Sequence, residues 1–470
     1  MEKMKLSFQQ ENDILLNYIL ETSLIKKIKE NNALNFKENQ ELTNVNDYYI
    51  ELNITPVCNQ KCNYCYLVKY GNELYPPEIR GEENILNNLK IFLDYLLTNN
   101  IHPFRFDLFS GEIWEMEFGN KIFDILLEYK LKGLNYGFIM IPSNMSFLTH
   151  DSTTKIIQNY INRFRKRDVD LRFSASFDGK YIDTDTRSFR DENKNILKSN
   201  DEFYDKLFSF CKKNNYGFHP MVGAYKIENW KENIVWFYEM IEKYKMDRKK
   251  FIMFLEVRND YWTQEKINSY LDFLNFSFEY EISNYFDGDP EKFFDNYIMK
   301  LSIYKNYEPK FPNFMSKSVP ACTIYRSLIV RLGDLGIGPC HRTHYDKFIY
   351  GNYIVENNKI VGLKARNVQL ANRILLGTMN SIPKCSGCLI RDICPKGCFG
   401  AQYEASGEIL EPINSVCELE KQKSFFIINK YEELGLMEKI KDNFKGLYDQ
   451  FIKIKDEREY KEWKKLMLQK

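Results

Sequence analysis

Three cysteines stand close together in "CNQKCNYCY", at Cys58, Cys62 and Cys65, directly after the strand-like "YIELNITP" of residues 49–56. Thiolates at Cys-x3-Cys-x2-Cys spacing on one loop can each hold an iron of a four-iron cube, which leaves the fourth iron without a protein ligand. An open iron is a place for a substrate or cofactor to bind. The competing reading is a structural zinc knuckle, which would need a fourth ligand from elsewhere because structural zinc closes its tetrahedron. No histidine stands beside the three cysteines at ligand spacing.

A second cysteine group lies far along the chain. "CSGCLIRDICPKGC" carries Cys385, Cys388, Cys394 and Cys398, with Cys322 and Cys340 before it and Cys417 after it. Cys-x2-Cys pairs alone do not separate zinc from iron and sulfur. Cys211 stands by itself between the two groups. It falls one turn after Leu207 and beside Phe210 on an apolar helical pattern, where a small buried thiol behaves as an apolar residue.

These cysteines need a scaffold, and the chain is long enough to build one. Its 470 residues suggest two or three domains. Lys and Arg number 66 against 65 Asp and Glu, a net charge of +1, so nothing points to nucleic acid or an anionic membrane as partner. The start "MEKMKLSFQQENDILLNYIL" lacks the order of a secretory signal, and no stretch approaches the 18 or so uncharged apolar residues of a membrane span. A cytoplasmic protein is expected, and in that reducing setting 11 cysteines read as metal ligands rather than disulfides.

Between the two cysteine groups the pattern alternates strand and helix. Ile50, Leu52 and Ile54, then Phe104, Phe106 and Leu108, then Leu171, Phe173 and Ala175 alternate with polar residues, a period of two. Apolar runs at 136–142, 216–224 and 250–257 suit strands buried on both faces. Helical spacings recur between them, as in Ile85, Leu89, Phe92 and Leu96, and a last helix is expected over 263–284. Six successive β-α units predict an α/β chain with a partial (β/α)6 barrel. Active residues would then sit at the C-terminal strand ends, which is where "CNQKCNYCY" falls. Ile14, Leu15, Tyr18, Leu24, Ile25 and Ile28 predict an amphipathic N-terminal helix packed on the barrel, and residues 421–470 one or two charged helices.

On these motifs and their order, residues 49–420 resemble the radical S-adenosylmethionine enzymes. The resemblance implies that Cys58, Cys62 and Cys65 hold a 4Fe-4S cluster whose open iron chelates S-adenosylmethionine, with Tyr66 as the aromatic beside the cluster. "FSGEIWE" is similar to the family's Gly-Gly-Glu-Pro stretch, which receives the methionine ammonium group. Gly111 and Glu112 match; Ser110 replaces the first glycine and Ile113 the proline. "PSNMSFL" resembles its Thr-Asn-Gly stretch and places Asn144 near the cofactor, with Met145 where glycine is usual. "SASFDG" resembles Ser-x-Asp-Gly, making Ser176 a candidate for the ribose hydroxyls, supported by Asp178 and Arg187.

The C-terminal cysteines resemble the SPASM domain, an auxiliary-cluster module of radical enzymes that modify peptides and proteins. "GDLGIGPCHR" is similar to its glycine-turn hairpin, although Leu335 and Gly336 displace one glycine by a residue. The resemblance assigns Cys385, Cys388, Cys394 and Cys417 to one four-iron cluster, and Cys322, Cys340 and Cys398 to another with its fourth ligand open. It implies five segments: an N-terminal helical extension 1–48, the partial barrel 49–287, a helical connection 288–318, a small cysteine-rich SPASM domain with a β-hairpin and helices over 319–420, and C-terminal helices 421–470. Glu256, at the end of the sixth expected strand, is a candidate base, with Arg258 nearby. His341, next to Cys340, is a candidate donor to a cluster sulfur.

The expected cofactors are S-adenosylmethionine and three 4Fe-4S clusters. The expected partners are a precursor peptide or protein substrate and a flavodoxin- or ferredoxin-type electron donor, with no nucleic acid and no membrane. The favoured function is peptide or protein maturation by thioether or other crosslink formation. Formylglycine formation of the anaerobic sulfatase-maturase kind and radical dehydrogenation of a small molecule are the enzymatic alternatives. A zinc or electron-transfer binding protein is the non-enzymatic one.

Overall fold

The computed structural model describes residues 6–30, 48–109, 111–115, 118–187, 201–218, 220–248, 254–255, 262–297, 324, 326–376, 382–394 and 397–467. The chain divides into two compact units. The first comprises Met1–Phe177, Thr184–Phe218 and Thr323–Gly377; the second comprises Asp178–Asp183, His219–Cys322 and Thr378–Lys470. The segment expected as one cysteine-rich module, 319–420, is thus shared between the two.

The first unit is built on parallel β-α repeats. β1 (Tyr49–Asn53), β2 (Arg105–Phe109), β3 (Phe138–Ser143) and β4 (Asp170–Ala175) run parallel and pair in that order. α1 (Phe8–Leu20) precedes them. α2 (Tyr66–Leu74) and α3 (Glu82–Thr98) lead from β1 to β2, α4 (Gly119–Leu131) from β2 to β3, and α5 (Asp151–Arg165) from β3 to β4. α6 (Asp201–Asn214) closes the run. β1 is buried along its whole length, as expected of a strand covered on both faces. Ile85, Leu89, Phe92, Leu93 and Leu96 of α3 are buried, as are Ile122, Phe123, Ile125 and Leu126 of α4, the faces that the 3.6-residue spacing marks out. Cys211 on α6 is fully buried, and burial pushes its thiol up to about 12.

The other edge of β1 takes a partner from far along the chain. β7 (Ser327–Arg331) runs parallel to it, in register from Tyr49 opposite Ser327 to Asn53 opposite Arg331. β8 (Gly336–Gly338), β9 (Gly351–Glu356) and β10 (Lys359–Ala365) then add antiparallel. The result is one eight-stranded sheet in the order β10-β9-β8-β7-β1-β2-β3-β4. The expected glycine-turn hairpin is β7 and β8. Its turn residue Leu335 is buried and has φ 52°, a left-handed backbone where the family's pattern has glycine.

Arg331 locks that hairpin. It is 1 % exposed, reaches Asp334 at 2.7 Å and Asp346 at 3.1 Å, and donates to the carbonyls of Leu74 and His344, both at 2.8 Å. A buried guanidinium is tolerable when its donors are matched in this way.

Two expectations need correction here. α1 buries Leu16, Ile19 and Leu20, while Ile14, Leu15 and Tyr18 lie exposed. The expected stripe failed because Glu21–Ile25 is a π-helical turn: its wider winding shifts the side-chain register, so residues before and after it do not share one 3.6-residue stripe. The helix also packs on the β10 end of the sheet, where Ala365 N–H donates to Asp13 at 2.7 Å and Gln9 to the Ala365 carbonyl at 3.0 Å.

The strand expected over 216–224 is the second correction. It is an isolated parallel bridge between Phe218 and Ala175, followed by the two-residue β5 (Met221–Val222). Pro220 stands between them with no N–H for a ladder. β5 pairs with β6 (Phe254–Leu255) in a separate two-stranded sheet; the rest of the strand expected over 250–257 lies outside the described residues.

The second unit is mainly helical. α7 (Trp230–Lys243) and α8 (Gln264–Tyr285) meet through Trp230 and Phe273, whose rings are 5.8 Å apart. α9 (Phe399–Ser406) and α10 (Asn414–Glu433) follow the cysteine motif. Phe278 of α8 packs on Phe426 and Tyr431 of α10. Three shorter helices, Met437–Asn443, Lys445–Asp456 and Arg458–Met467, end the chain where one or two were expected. Among the described residues no helix is long and apolar enough to cross a membrane.

Candidate functional site

The three-cysteine loop leaves β1 at its C-terminal end and finishes at α2, with Cys65 as that helix's N-cap. The electropositive end of a helix therefore lies at Cys65. The loop is held from β2: Gly111 N–H donates to the Thr55 carbonyl at 2.8 Å and Glu112 N–H to the Val57 carbonyl at 2.7 Å. A Cβ at position 111 would overlap the Val57 carbonyl, so this close approach of two strand-end loops requires glycine.

Glu112 is fully buried. Ser143 Oγ donates to both of its carboxylate oxygens, at 3.0 and 3.1 Å, and Asn144 N–H donates at 2.7 Å. Burial pushes the Glu112 carboxyl up to about 8 in spite of these donors. It is a buried acceptor that a cation would complete.

Asn144 also reaches the cysteine loop. Its side-chain amide donates to Asn59 Oδ1 at 2.8 Å and lies 3.7 Å from Cys58 Sγ, while its Oδ1 accepts the Ser146 N–H at 2.8 Å. Gln60 N–H donates to the same sulfur at 3.4 Å. N–H donors on sulfur suit an anionic thiolate. The free Cys58 thiol is pushed up to about 12, first by burial and next by the charge of Glu112. Met145 follows in the left-handed region, φ 61°, and is buried. The chain keeps a glycine-like backbone there with a side chain attached.

Arg187 is 6 % exposed and donates through Nε to the Tyr64 hydroxyl at 2.9 Å, and through Nη1 to the Ser176 carbonyl. It thereby joins the end of β4 to the cysteine loop. Ser176 N–H donates to the Ser143 carbonyl at 2.7 Å. Asp178 belongs to the second unit, where its Oδ1 accepts the Met221 N–H at 3.1 Å. Tyr66 has the Arg342 guanidinium over its ring and His341 6.0 Å away.

The His341 ring stacks on Phe109 at 4.0 Å, and its Nδ1 donates to Glu51 Oε1 at 3.1 Å. That nitrogen is turned to a carboxylate rather than to a sulfur. Cys340 Sγ instead accepts from Arg342 N–H at 3.3 Å and Thr343 Oγ1 at 3.5 Å. Ser110, Glu256 and Cys322, with Arg258, lie outside the described residues.

In the second unit Cys385, Cys388, Cys394, Cys398 and Cys417 all line one cavity of about 570 Å³. Cys398 is the N-cap of α9, and Cys417 lies in the first turn of α10. Cys388 N–H donates to the Cys385 carbonyl at 3.2 Å, a tight turn typical of Cys-x2-Cys. Among the described residues no three His, Cys, Asp or Glu side chains stand close enough to hold a single metal ion. A four-iron cube spreads its thiolates over four corners, and a cavity walled by five thiols with helix N-termini behind two of them fits such a group.

Sequence reasoning missed Ser143, Asn59, Tyr64 and Glu51. Ser143 and Tyr64 each adjoin a named residue, Asn144 and Cys65. Nothing in their types marks them as partners of Glu112 and Arg187.

An α/β sheet carrying a three-thiol loop at its strand ends, with a carboxylate and an amide bracketing it, is the class that fold and site define. Solved structures share the fold. Polyhistidine-tagged anSMEcpe with bound AdoMet matches with a TM-score of 0.54 at 17% identity, over 86% of this chain and 98% of that one. Native anSMEcpe with bound AdoMet and Cp18Cys peptide matches with a TM-score of 0.51 at 17% identity, over 82% of this chain and 97% of that one. At this identity the likeness is one of fold, and the α/β fold class read from the strand and helix periods is the one found. No protein-family model matches the chain, and no curated protein matches it by sequence.

Proposed function

We propose that this chain is a radical S-adenosylmethionine enzyme that matures a peptide or protein in the cytoplasm, most favourably by forming a thioether or another crosslink. The observation that carries the reading is the bracket of Glu112 and Asn144 on the Cys58 loop: a buried carboxylate at 2.7 Å from an N–H whose own side chain lies 3.7 Å from the sulfur. A mere cluster carrier has no use for a buried carboxyl group placed there. The proposal keeps Cys58, Cys62 and Cys65 as ligands of the first cluster, Cys385, Cys388, Cys394 and Cys417 as ligands of a second, and Cys322, Cys340 and Cys398 as ligands of a third.

When bound, the cluster and S-adenosylmethionine supply one-electron cleavage to a 5'-deoxyadenosyl radical, which abstracts hydrogen from the substrate. The protein's part is to bind and orient. Glu112 receives the methionine ammonium group, with Ser143 and Asn144 N–H fixing the direction of its carboxylate. Gly111 keeps that carboxylate against the cysteine loop. Arg187 holds Tyr64, and so the shape of the loop between Cys62 and Cys65, against the end of β4. Ser176 faces the ribose, and Asp178 accepts the Met221 N–H at the start of β5. Fold likeness to a solved structure that contains AdoMet and a peptide supports a peptide as substrate. A flavodoxin- or ferredoxin-type donor would supply the electron. Formylglycine formation and small-molecule dehydrogenation remain the alternatives within this chemistry.

The test is anaerobic reconstitution of the full chain with iron and sulfide. About three four-iron clusters and reductant-dependent 5'-deoxyadenosine are expected. Cys62→Ala should abolish 5'-deoxyadenosine, and Cys211→Ser should leave it intact. Stoichiometric zinc with little iron would defeat the proposal.

A further inference from the structure

Asn59 stands between two of the proposed ligands, Cys58 and Cys62, yet the proposed chemistry gives it no role. Its side chain makes three hydrogen bonds. Nδ2 donates to Glu115 Oε1 and to Ser146 Oγ, both at 2.8 Å, and Oδ1 accepts from Asn144 Nδ2 at 2.8 Å. Both N–H donors of the amide are used, together with one lone pair of its oxygen.

The polarity of these bonds is fixed from outside. Ser146 N–H can only donate, and it donates to Asn144 Oδ1 at 2.8 Å, so Asn144 must turn its nitrogen to Asn59. Asn59 answers with its oxygen, and its own nitrogen then faces a carboxylate and a hydroxyl. Asn144, Asn59 and Ser146 thus close a ring in which each donates to the next. Asn144 and Ser146 are buried, which shields the ring from competing water.

Three strand ends meet in this arrangement. Asn59 belongs to the loop after β1, Glu115 ends the single turn Ile113–Glu115 that follows Glu112 beyond β2, and Asn144 and Ser146 follow β3. Asn144 N–H in turn holds the Glu112 carboxylate. A shift of Asn144 would therefore carry Glu112 with it, and a small misplacement of a binding group is costly.

We propose that Asn59 is a positioning residue for S-adenosylmethionine: its side chain fixes Asn144, and through it the Glu112 carboxylate, relative to the three-thiol loop. The inference rests on the proposed function and adds to it a residue that acts through its neighbours.

The test uses the full chain, reconstituted anaerobically, in wild-type form, as Asn59→Leu, as Asn59→Asp, and as the double variant Asn59→Asp with Glu115→Gln. Leucine removes all three bonds at similar volume. The double variant leaves the net charge unchanged and reverses the bond between the two positions, so that the amide at 115 donates and the carboxylate at 59 accepts. Ser146 Oγ–H can turn to donate to that carboxylate, and Asn144 Nδ2 keeps its acceptor.

Iron content, calorimetric affinity for S-adenosylmethionine and the EPR change that S-adenosylmethionine induces are read for each. Wild-type iron is expected throughout. Asn59→Leu should bind S-adenosylmethionine about 10-fold more weakly, and the double variant should stay within about 2-fold of wild type. Asn59→Asp alone sets two carboxylates against each other and should fall between them. Unchanged affinity in Asn59→Leu would overturn the proposal. So would a double variant as weak as Asn59→Leu, because the three bonds would then not be what matters. Loss of the first cluster's iron in Asn59→Leu would overturn it too, since Asn59 would then hold the cysteines rather than the Glu112 carboxylate. Wild-type protein that takes up iron without binding S-adenosylmethionine would remove the proposed function, and this inference with it, before any variant is compared.

Discussion

Asn144 donates its backbone N–H to the Glu112 carboxylate at 2.7 Å. One residue thus orients the acceptor while its own side chain borders the Cys58 sulfur.

The first prediction follows from that pair. The Glu112 carboxyl titrates near 8 in the folded chain, above the ordinary glutamate value of about 4.3. Its contribution to stability is complete below the ordinary value and is lost as pH rises through about 8. A bound ammonium group reverses this by favouring the carboxylate. Binding of S-adenosylmethionine to the reconstituted enzyme at pH 7 should therefore release protons, measured by calorimetry in buffers of different ionisation enthalpy. Glu112→Gln should abolish the release and weaken binding about 10-fold or more, the loss of a charge-assisted contact.

Met145 supplies the second. At φ 61° a residue with a Cβ bears a strain of about 1–2 kcal/mol that glycine does not. Both Met145→Ala and Met145→Gly lose the buried thioether side chain. Denaturant unfolding should nonetheless rank Met145→Gly above Met145→Ala by about 1 kcal/mol, the reverse of the usual order. Alanine ranking higher would mean that the left-handed conformation is wrong.

Arg331 supplies the third. Arg331→Met leaves Asp334 and two carbonyls without their buried donor, and the variant should lose about 3–5 kcal/mol of stability. Asp346, 62% exposed in its side chain, is rehydrated easily, and Asp346→Asn should cost less than about 1 kcal/mol. Equal losses in the two variants would contradict the locking role.

The product supplies the fourth. If hydrogen abstraction is followed by loss of one electron and one proton as a new bond closes, a co-expressed substrate peptide should lose about 2 Da per modification. Mass spectrometry after thiol alkylation separates the outcomes. Cysteines that still alkylate fully on a lighter peptide would exclude the thioether and leave another crosslink or an oxidised residue.

β1, β2 and β4 were legible because a period of two survives in the residues themselves, as in Phe106 and Leu108, β3 because of its apolar run, and the helices between them because of a period of 3.6, as in Ile122 and Leu126. The cysteines were legible by spacing. β7 was not, because no local pattern in "SLIVR" names β1 as its neighbour. The glycine departures were legible only as departures. Met145 and Leu335 look like lost glycines in the sequence, yet both hold the left-handed backbone that glycine would serve. Ser143 and Tyr64 were invisible for a different reason: an ordinary hydroxyl becomes a partner only once two strand ends stand side by side.

The pairing of β1 with β7 has a consequence for how the chain is made. Asn53 is synthesised long before Arg331, its register partner, and at about 5–20 residues per second β1 waits roughly a quarter of a minute to a minute for that edge to be covered. During that interval a strand with unpaired amides along one edge sits on the nascent chain, a template for wrong partners. The cysteine loop is attached to that same strand. Cofactor loading, proteolytic survival and yield should therefore all depend on what occupies the open edge before residue 327 leaves the ribosome.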